Sequence, residues 1–388
     1  MAQRTPLAWY NLTYERRRLF VALAGVAFAV ILMFVFRGFR NALYDSQVQL
    51  HKVLNGEIAI VSRIKENMFV PEQFARNRLY QALAYEGIEA AYPVYLEVGA
   101  AWKNPETGRT RRLRAIAFNL NDPVLLLPEV KERVEALRMP ETVMMDLKAR
   151  PEVGPKVVGL ETELAERRVT VVGTFNLGTD FAAGNGNLLM SDTNFLRYFA
   201  IQGPEVENRT LNTVDVGVLK VAPSADVDAL VRSLQQGLPP DVTVLSMADF
   251  AQREVTYWQE NTNIGFVFGL LTAMGFAVGV ILVYQILYTD VADHWTEYAT
   301  LKAIGYNNSF LFGVILQEAL LLSVMGYIPG LVASMGLYQL ASNATGLIMQ
   351  MNVSRALGML LSTFVMCSIS GAIALRRVQA TDPAEVFG

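Results

Sequence analysis

The residues with the clearest chemical potential lie in one short stretch, Asp290–Gly305, which reads DVADHWTEYATLKAIG. At 100° per residue, Val291, Trp295, Tyr298 and Ala299 share one helical face, and Asp290, Asp293, His294 and Glu297 lie opposite. Leu301 and Ile304 fall on the acidic side and give it an apolar edge. A helix that only lay on lipid would carry Lys or Arg on its polar face. An acidic face with an apolar edge suits docking against a protein. A solvated connector helix has the same pattern.

One further acid stands out. Glu318, beside Gln317, is well inside an apolar run, about 12 Å along a helix from Phe310. An ionised carboxylate there is costly, so it should face other helices, pair with a donor or hold a proton. Interhelical hydrogen bonding, to Tyr284 or Gln285, is the expected role, because a proton relay needs several such groups and the spans offer no second acid.

Hydrolytic chemistry finds little support. There are only two histidines, His51 and His294, at opposite ends of the chain's apolar segments, and Gly-x-Ser-x-Gly does not occur. A single cysteine, Cys367, lies in an apolar run, so neither a disulfide framework nor a thiolate metal site is expected. No Lys follows a Gly, so the phosphate-cradling G-x-x-x-x-G-K-[ST] loop is missing. Gly184-Asn-Gly-Asn187 imitates it only as a flexible turn. Met349, Met351 and Met359 are expected to pack rather than carry metal. No catalytic residue, metal ligand or bound cofactor is assigned.

The elements that position these residues follow from hydropathy. Of 388 residues, 52% are hydrophobic and 18% charged, and the net charge of −3 argues against nucleic acid as a partner. Four apolar runs, uncharged apart from Glu318, are long enough to cross a bilayer, at residues 19–36, 264–288, 310–331 and 356–375. Residues 1–18 are expected to form an interfacial helix, with Thr5-Pro6 at its start and Arg16–Arg18 at its end. The three arginines place the N-terminus in the cytoplasm, and four spans return residues 376–388 there. Residues 290–305 then form a cytosolic segment, and 342–354 a short outer loop. Gly265 and Gly269, Gly275 and Gly279, and Gly326 and Gly330 are small-residue pairs that let helices approach closely.

Residues 38–263 form an insertion with 24 Lys and Arg against 29 Asp and Glu, net −5. Its pattern mixes strands and helices. Residues 56–62, 92–102, 110–118, 170–175, 214–221 and 242–245 read as strands, and 74–85, 225–236 and 247–260 as helices. Residues 103–109, with Pro105 and Gly108, read as the turn of a hairpin. The expected fold class is a four-helix membrane protein with a large α+β extracytoplasmic domain between its first two spans.

The run Glu297-Tyr-Ala-Thr-Leu-Lys-Ala-Ile-Gly305 resembles the E-I-G-x-x-[KR]-A-[IL]-G coupling segment of MacB/FtsX-type permeases. Its Glu-Tyr-Ala-Thr form looks like the DevC branch, the permease of a glycolipid exporter. The tail from Arg376-Arg377 to Asp382-Pro383-Ala-Glu385 is similar to the family's closing R…DP-x-E. Two departures are Ala299, where the superfamily has Gly, and the lack of the fused ATPase of MacB proper.

The resemblance implies the permease subunit of an ABC exporter in a bacterial inner membrane, acting as a homodimer. ATP would be bound by a separate ATPase subunit. A periplasmic membrane-fusion adaptor, an outer-membrane TolC-like channel and a lipid or glycolipid cargo complete the implied assembly. In such mechanotransmission machines the coupling helix moves on ATP closure and the outer domain squeezes or releases cargo. An FtsX-like relay that activates an extracytoplasmic enzyme, or a membrane-anchored receptor, are the alternatives.

Overall fold

The computed structural model describes residues 16–180, 183–200, 208–294 and 308–379, with isolated positions between and beyond them. Among the described residues, four helices are long and apolar enough to cross a membrane: Arg16–Gln47, Ile264–Asp293, Phe312–Thr345 and Val353–Arg376. The chain divides into two units. The helical unit takes Met1–Asn41, Ile264–Ser342 and Met349–Gly388, and the α+β unit takes Ala42–Asn263 with Asn343–Ile348. This is the expected class: four apolar helices with an α+β domain between the first two.

In the helical unit, glycine and hydroxyl groups set the packing. Gly326 and Gly330 of the third span lie against Val26 and Val30 of the first; a Cβ at Gly330 would come within 2.7 Å of Val30. Gly279 of the second span meets both Ala29 and Met366. Gly275 lies at ordinary contact distance from Leu32 and Met33. Backbone carbonyls receive side-chain donors across helices, from Tyr338 Oη to Phe34 O at 2.7 Å and from Ser370 Oγ to Val280 O at 2.9 Å. Tyr327 Oη likewise donates to Ala356 O at 2.8 Å. Apolar attraction between helices is weak in lipid, so such close approaches and bonds hold the bundle. Gly265 is half-buried, and Gly269 has nothing within 4 Å of an added Cβ.

The α+β unit is built on a nine-stranded sheet in the order β11-β1-β10-β3-β4-β8-β5-β7-β6. In chain order these are β1 (Ile58–Ser62), β3 (Ile88–Lys103), β4 (Thr110–Phe118), β5 (Thr142–Asp146) and β6 (Glu161–Leu164). β7 (Arg167–Phe175), β8 (Asn187–Ser191), β10 (Val216–Val221) and β11 (Val242–Ser246) complete it, and β2 (Phe74–Ala75) pairs separately with β9 (Thr213–Val214). Six helices accompany the strands: α1 (Gln49–Val53), α2 (Asn77–Ala82), α3 (Pro128–Leu137), α4 (Asp192–Phe199), α5 (Val227–Gly237) and α6 (Met247–Glu260).

The sixteen-residue β3 is central: it pairs β10 along one half and β4 along most of its length, and meets β6 at Trp102. A register shift at Gly99, where φ is +91°, bends it, since a bulge residue in that region is best supplied by glycine. The 104–109 turn is held by Asn104 Oδ1, which accepts from the amides of Glu106 and Thr107.

The sequence reading of 74–85 as one helix is corrected. Phe74 and Ala75 form β2, because Phe74 is buried and its backbone pairs with Val214; the helix starts at Asn77. By contrast α6 occupies the expected residues, with Ser246 Oγ accepting from the Asp249 amide as its cap. The connection between the third and fourth spans contributes Asn343–Ile348 to the α+β unit. There Gly346, at φ +73°, lies so close to the Lys148 carbonyl that a Cβ would be 3.1 Å from it.

Within a single chain the glycines divide into those set against a neighbouring helix and those with open space beside them. Gly326→Leu forces a side chain into Val26 and should cost about 1–3 kcal/mol of bundle stability. Gly269→Leu, with open space beside it, should leave the thermal midpoint of the detergent-solubilised monomer unchanged. Equal losses in the two variants would show that the first and third spans do not pack through Gly326.

Candidate functional site

The coupling stretch begins inside a spanning helix. The second span does not stop near Tyr288 but continues to Asp293, because Val283, Leu287 and Val291 extend one buried row at four-residue spacing. Val291, expected on a lipid-facing side, is accordingly 1% exposed and packs within the bundle. Asp290 also turns inward, where its carboxyl hydrogen-bonds Glu318 of the third span. Glu318 is fully buried. Asp290 is thus the second intramembrane acid absent from the sequence reading, which had assigned it to an outward docking face.

The rest of the acidic face is split. Asp293 forms an ion pair with Arg18 at the start of the first span. His294 Nδ1 lies 2.9 Å from the Asp290 carbonyl and 3.8 Å from its carboxylate. Glu297 is exposed, and its amide donates to the His294 carbonyl at 3.0 Å. Ile304 is 72% exposed, with its amide bonded to the Thr300 carbonyl at 3.0 Å. Leu301 lies outside the described residues, as do Trp295, Tyr298, Ala299, Lys302 and Gly305. Of the six residues expected on the docking side, Glu297 and Ile304 present themselves outward, Asp290 and His294 are turned in, and Asp293 is held by Arg18. The signal for this division was the 283–287–291 row.

A second polar constellation, unforeseen in sequence, lies within the α+β unit. Arg114, 1% exposed, bonds Asn187 Oδ1 at 3.0 Å and pairs with Asp180 at 2.8 Å. Asn187 in turn donates to Asp146 Oδ2 at 2.9 Å, and Asp146 accepts the amides of Leu177 and Gly178. His51 is buried beside Phe250, with ring centroids 4.4 Å apart and both ring nitrogens lacking hydrogen bonds. Burial, with Arg114 nearby, pushes its pKa down to about 3. Glu254 of α6 accepts from the Met68 amide and from Trp258 Nε1, and burial pushes its pKa up to about 7. Across the sheet, Arg209 bonds the Leu96 carbonyl and Glu97 and lies 3.8 Å from Asp215, tying residues 209–215 to β3. Arg114, Asp146, Asp180, Asn187 and His51 are buried and fix strands and turns, whereas Glu97 and Arg209 line an open pocket with Tyr198 and Phe199. Among the described residues, no group of three His, Cys, Asp or Glu is arranged to hold a metal.

Residues 268–383 match the family described as FtsX-like permease C-terminal. The likeness to that family begins within the second span. This segment holds most of the second spanning helix, the third and fourth, Glu318 and the whole coupling stretch. Two solved structures are also similar. The periplasmic region of MacB from Actinobacillus actinomycetemcomitans is 12% identical, with a TM-score of 0.35, covering 52% of this chain and 92% of that one. The extracellular domain of the noncanonic ABC-type transporter YknZ from Gram-positive bacteria is 11% identical, with a TM-score of 0.33, covering 49% and 98%. No curated protein sequence matches the chain.

His51 and Glu254 act on stability with opposite signs. Glu254 binds its proton more tightly folded than unfolded, so its contribution falls as pH rises from 4.5 to about 7. His51 is held neutral in the fold, so its contribution rises with pH between about 3 and 6.5. Between pH 4.5 and 6.5 the two slopes cancel. Relative to wild type, the slope of urea stability with pH across that window should become more negative by roughly 1.4 kcal/mol per unit in His51→Leu, and more positive by as much in Glu254→Gln. Wild-type slopes in both variants would show that neither group has the environment described.

Proposed function

We propose that the chain is the permease subunit of an ABC exporter, with nucleotide bound and hydrolysed by a separate ATPase subunit. The FtsX-like match over residues 268–383 carries this reading. The exposed Glu297 and Ile304 between the second and third spans support it, as a place for the ATPase to dock. The missing phosphate-binding loop fits an energy source in another chain.

In this reading the α+β unit faces the periplasm of a bacterial inner membrane, and both termini are cytoplasmic. Two permeases work as a dimer with an adaptor and a TolC-like outer-membrane channel. The cargo is a lipid or glycolipid, as the Glu-Tyr-Ala-Thr likeness to the DevC branch suggests. ATP closure would displace the 294–305 segment, and the spans would pass that displacement to the α+β unit, with no catalysis by this chain. The FtsX name of the matched family also favours a second reading, a relay that activates an extracytoplasmic enzyme without export.

The docking segment decides between a coupled permease and an isolated membrane protein. Ile304→Asp should weaken binding of the partner ATPase to permease-containing membranes by about thirtyfold, as expected for an apolar anchor worth about 2 kcal/mol. Leu301→Asp is expected to behave alike. Glu297→Lys should have a smaller effect that fades at high salt, as for a rim charge. Wild-type ATPase binding in all three would remove the coupling role, as would nucleotide binding by the purified permease. Co-purification of the adaptor favours export over the relay.

A further inference from the structure

A cavity of about 310 Å³ opens within the helical unit, between the first turns of the first span and the last turns of the second. Leu19 and Val21 line it from one helix, and Ile286 and Leu287 from the other. Arg17 and Arg18 also line it, and Asp290 and His294 contribute polar atoms at the end of the second span. Val21 is 63% exposed and its neighbour Phe20 is 74% exposed. On a spanning helix, such outward apolar side chains face hydrocarbon, so the groove is open to lipid as well as to the arginines.

The charges set which lipid suits it. Asp290 is engaged by Glu318, and its carbonyl by His294; Arg18 is engaged by Asp293. The acids of the groove therefore have partners within the protein, while Arg17 adds an exposed guanidinium at the depth where the apolar walls begin. A guanidinium matches two phosphate oxygens at once, and basic pockets between membrane helices take acidic headgroups. We propose that this groove binds an anionic phospholipid, with its phosphate at Arg17 and Arg18 and one acyl chain along Leu19, Val21, Ile286 and Leu287. Arg16, the next cation in sequence, does not line the groove and serves as its control.

The test is native mass spectrometry of the full chain in detergent, with phosphatidylglycerol or phosphatidylcholine added. Wild-type protein should retain phosphatidylglycerol about fivefold better or more. Arg17→Gln should lower that retention about fivefold, roughly the worth of one basic group at an anionic lipid surface, while Arg16→Gln leaves it unchanged. Val21→Trp, which fills the groove without touching the arginines, should lower retention of both lipids; an unchanged thermal midpoint in each variant shows that the bundle is intact. Equal retention of the two lipids by the wild type overturns the proposal. So do equal losses in Arg16→Gln and Arg17→Gln, and so does displacement of phosphatidylglycerol by inorganic phosphate, which would make this a site for a free anion.

Discussion

The close approach of the third span to the first, at Gly326 and Gly330, is the constraint on which the helical unit depends. Hydrocarbon does not drive helices together, so association rests on dispersion at short range and on bonds between polar groups. Replacing a side chain by hydrogen at these two positions lets Val26 and Val30 sit against the opposing backbone. Farther along the same pair of helices, Tyr338 closes the contact with a hydrogen bond to the Phe34 carbonyl. The same third helix carries Glu318, which is fully buried only because its neighbours pack tightly around it. An acid at this depth would be expensive on a lipid face; within the bundle it meets Asp290.

The α+β unit solves a different problem with the same economy of partners. Its core contains charged groups that a hydrophobic interior would ordinarily reject, and they are held by backbone amides, by polar side chains or by opposite charges. Arg114, Asp180, Asn187 and Asp146 form a chain of contacts from β4 through β8 to the amides of Leu177 and Gly178. Desolvating such ions offsets most of their mutual attraction, so the network adds little net stability. What it does determine is where the 177–180 segment sits relative to the strands. His51 is the exception: with no hydrogen bond on either ring nitrogen, it survives in the core as a neutral ring tilted against Phe250.

Much of this was legible in the sequence, for reasons that differ by element. The four spans were plain because a bilayer demands about twenty apolar residues in a row. Helix α6 was plain because Ser246 and Asp249 mark its start at three-residue spacing. The 92–118 hairpin was readable from its turn residues, though β3 runs longer, from Ile88 to Lys103. β5 and β8 escaped notice: both are buried at every position, and such strands show no alternation to betray them. The candidate site was half readable. A helical wheel drawn from Asp290 treats the stretch as a separate helix, whereas Asp290 and Val291 obey the packing of the span that precedes them. The partnerships of Asp290 with Glu318 and of Asp293 with Arg18 join residues far apart in sequence, and no local pattern encodes them.

Connectivity gives the two units a common mechanical logic. The first span runs into the α+β unit at residues 41 and 42, and the second leaves it at residues 263 and 264. The third and fourth spans are joined through Asn343–Ile348, which belongs to the α+β unit through Gly346 beside the Lys148 carbonyl and Ile348 beside Gly178. Every spanning helix therefore ends in a segment of that unit. At the second span only Asn261–Asn263 separate it from α6, whose Glu254 anchors both the Met68 amide and Trp258. So short a junction leaves little chain to absorb an axial displacement or a rotation of the span. If the 294–305 segment docks an ATPase as proposed, a movement begun at Glu297 or Ile304 would reach the α+β unit through covalent structure, without requiring a cargo path between the helices.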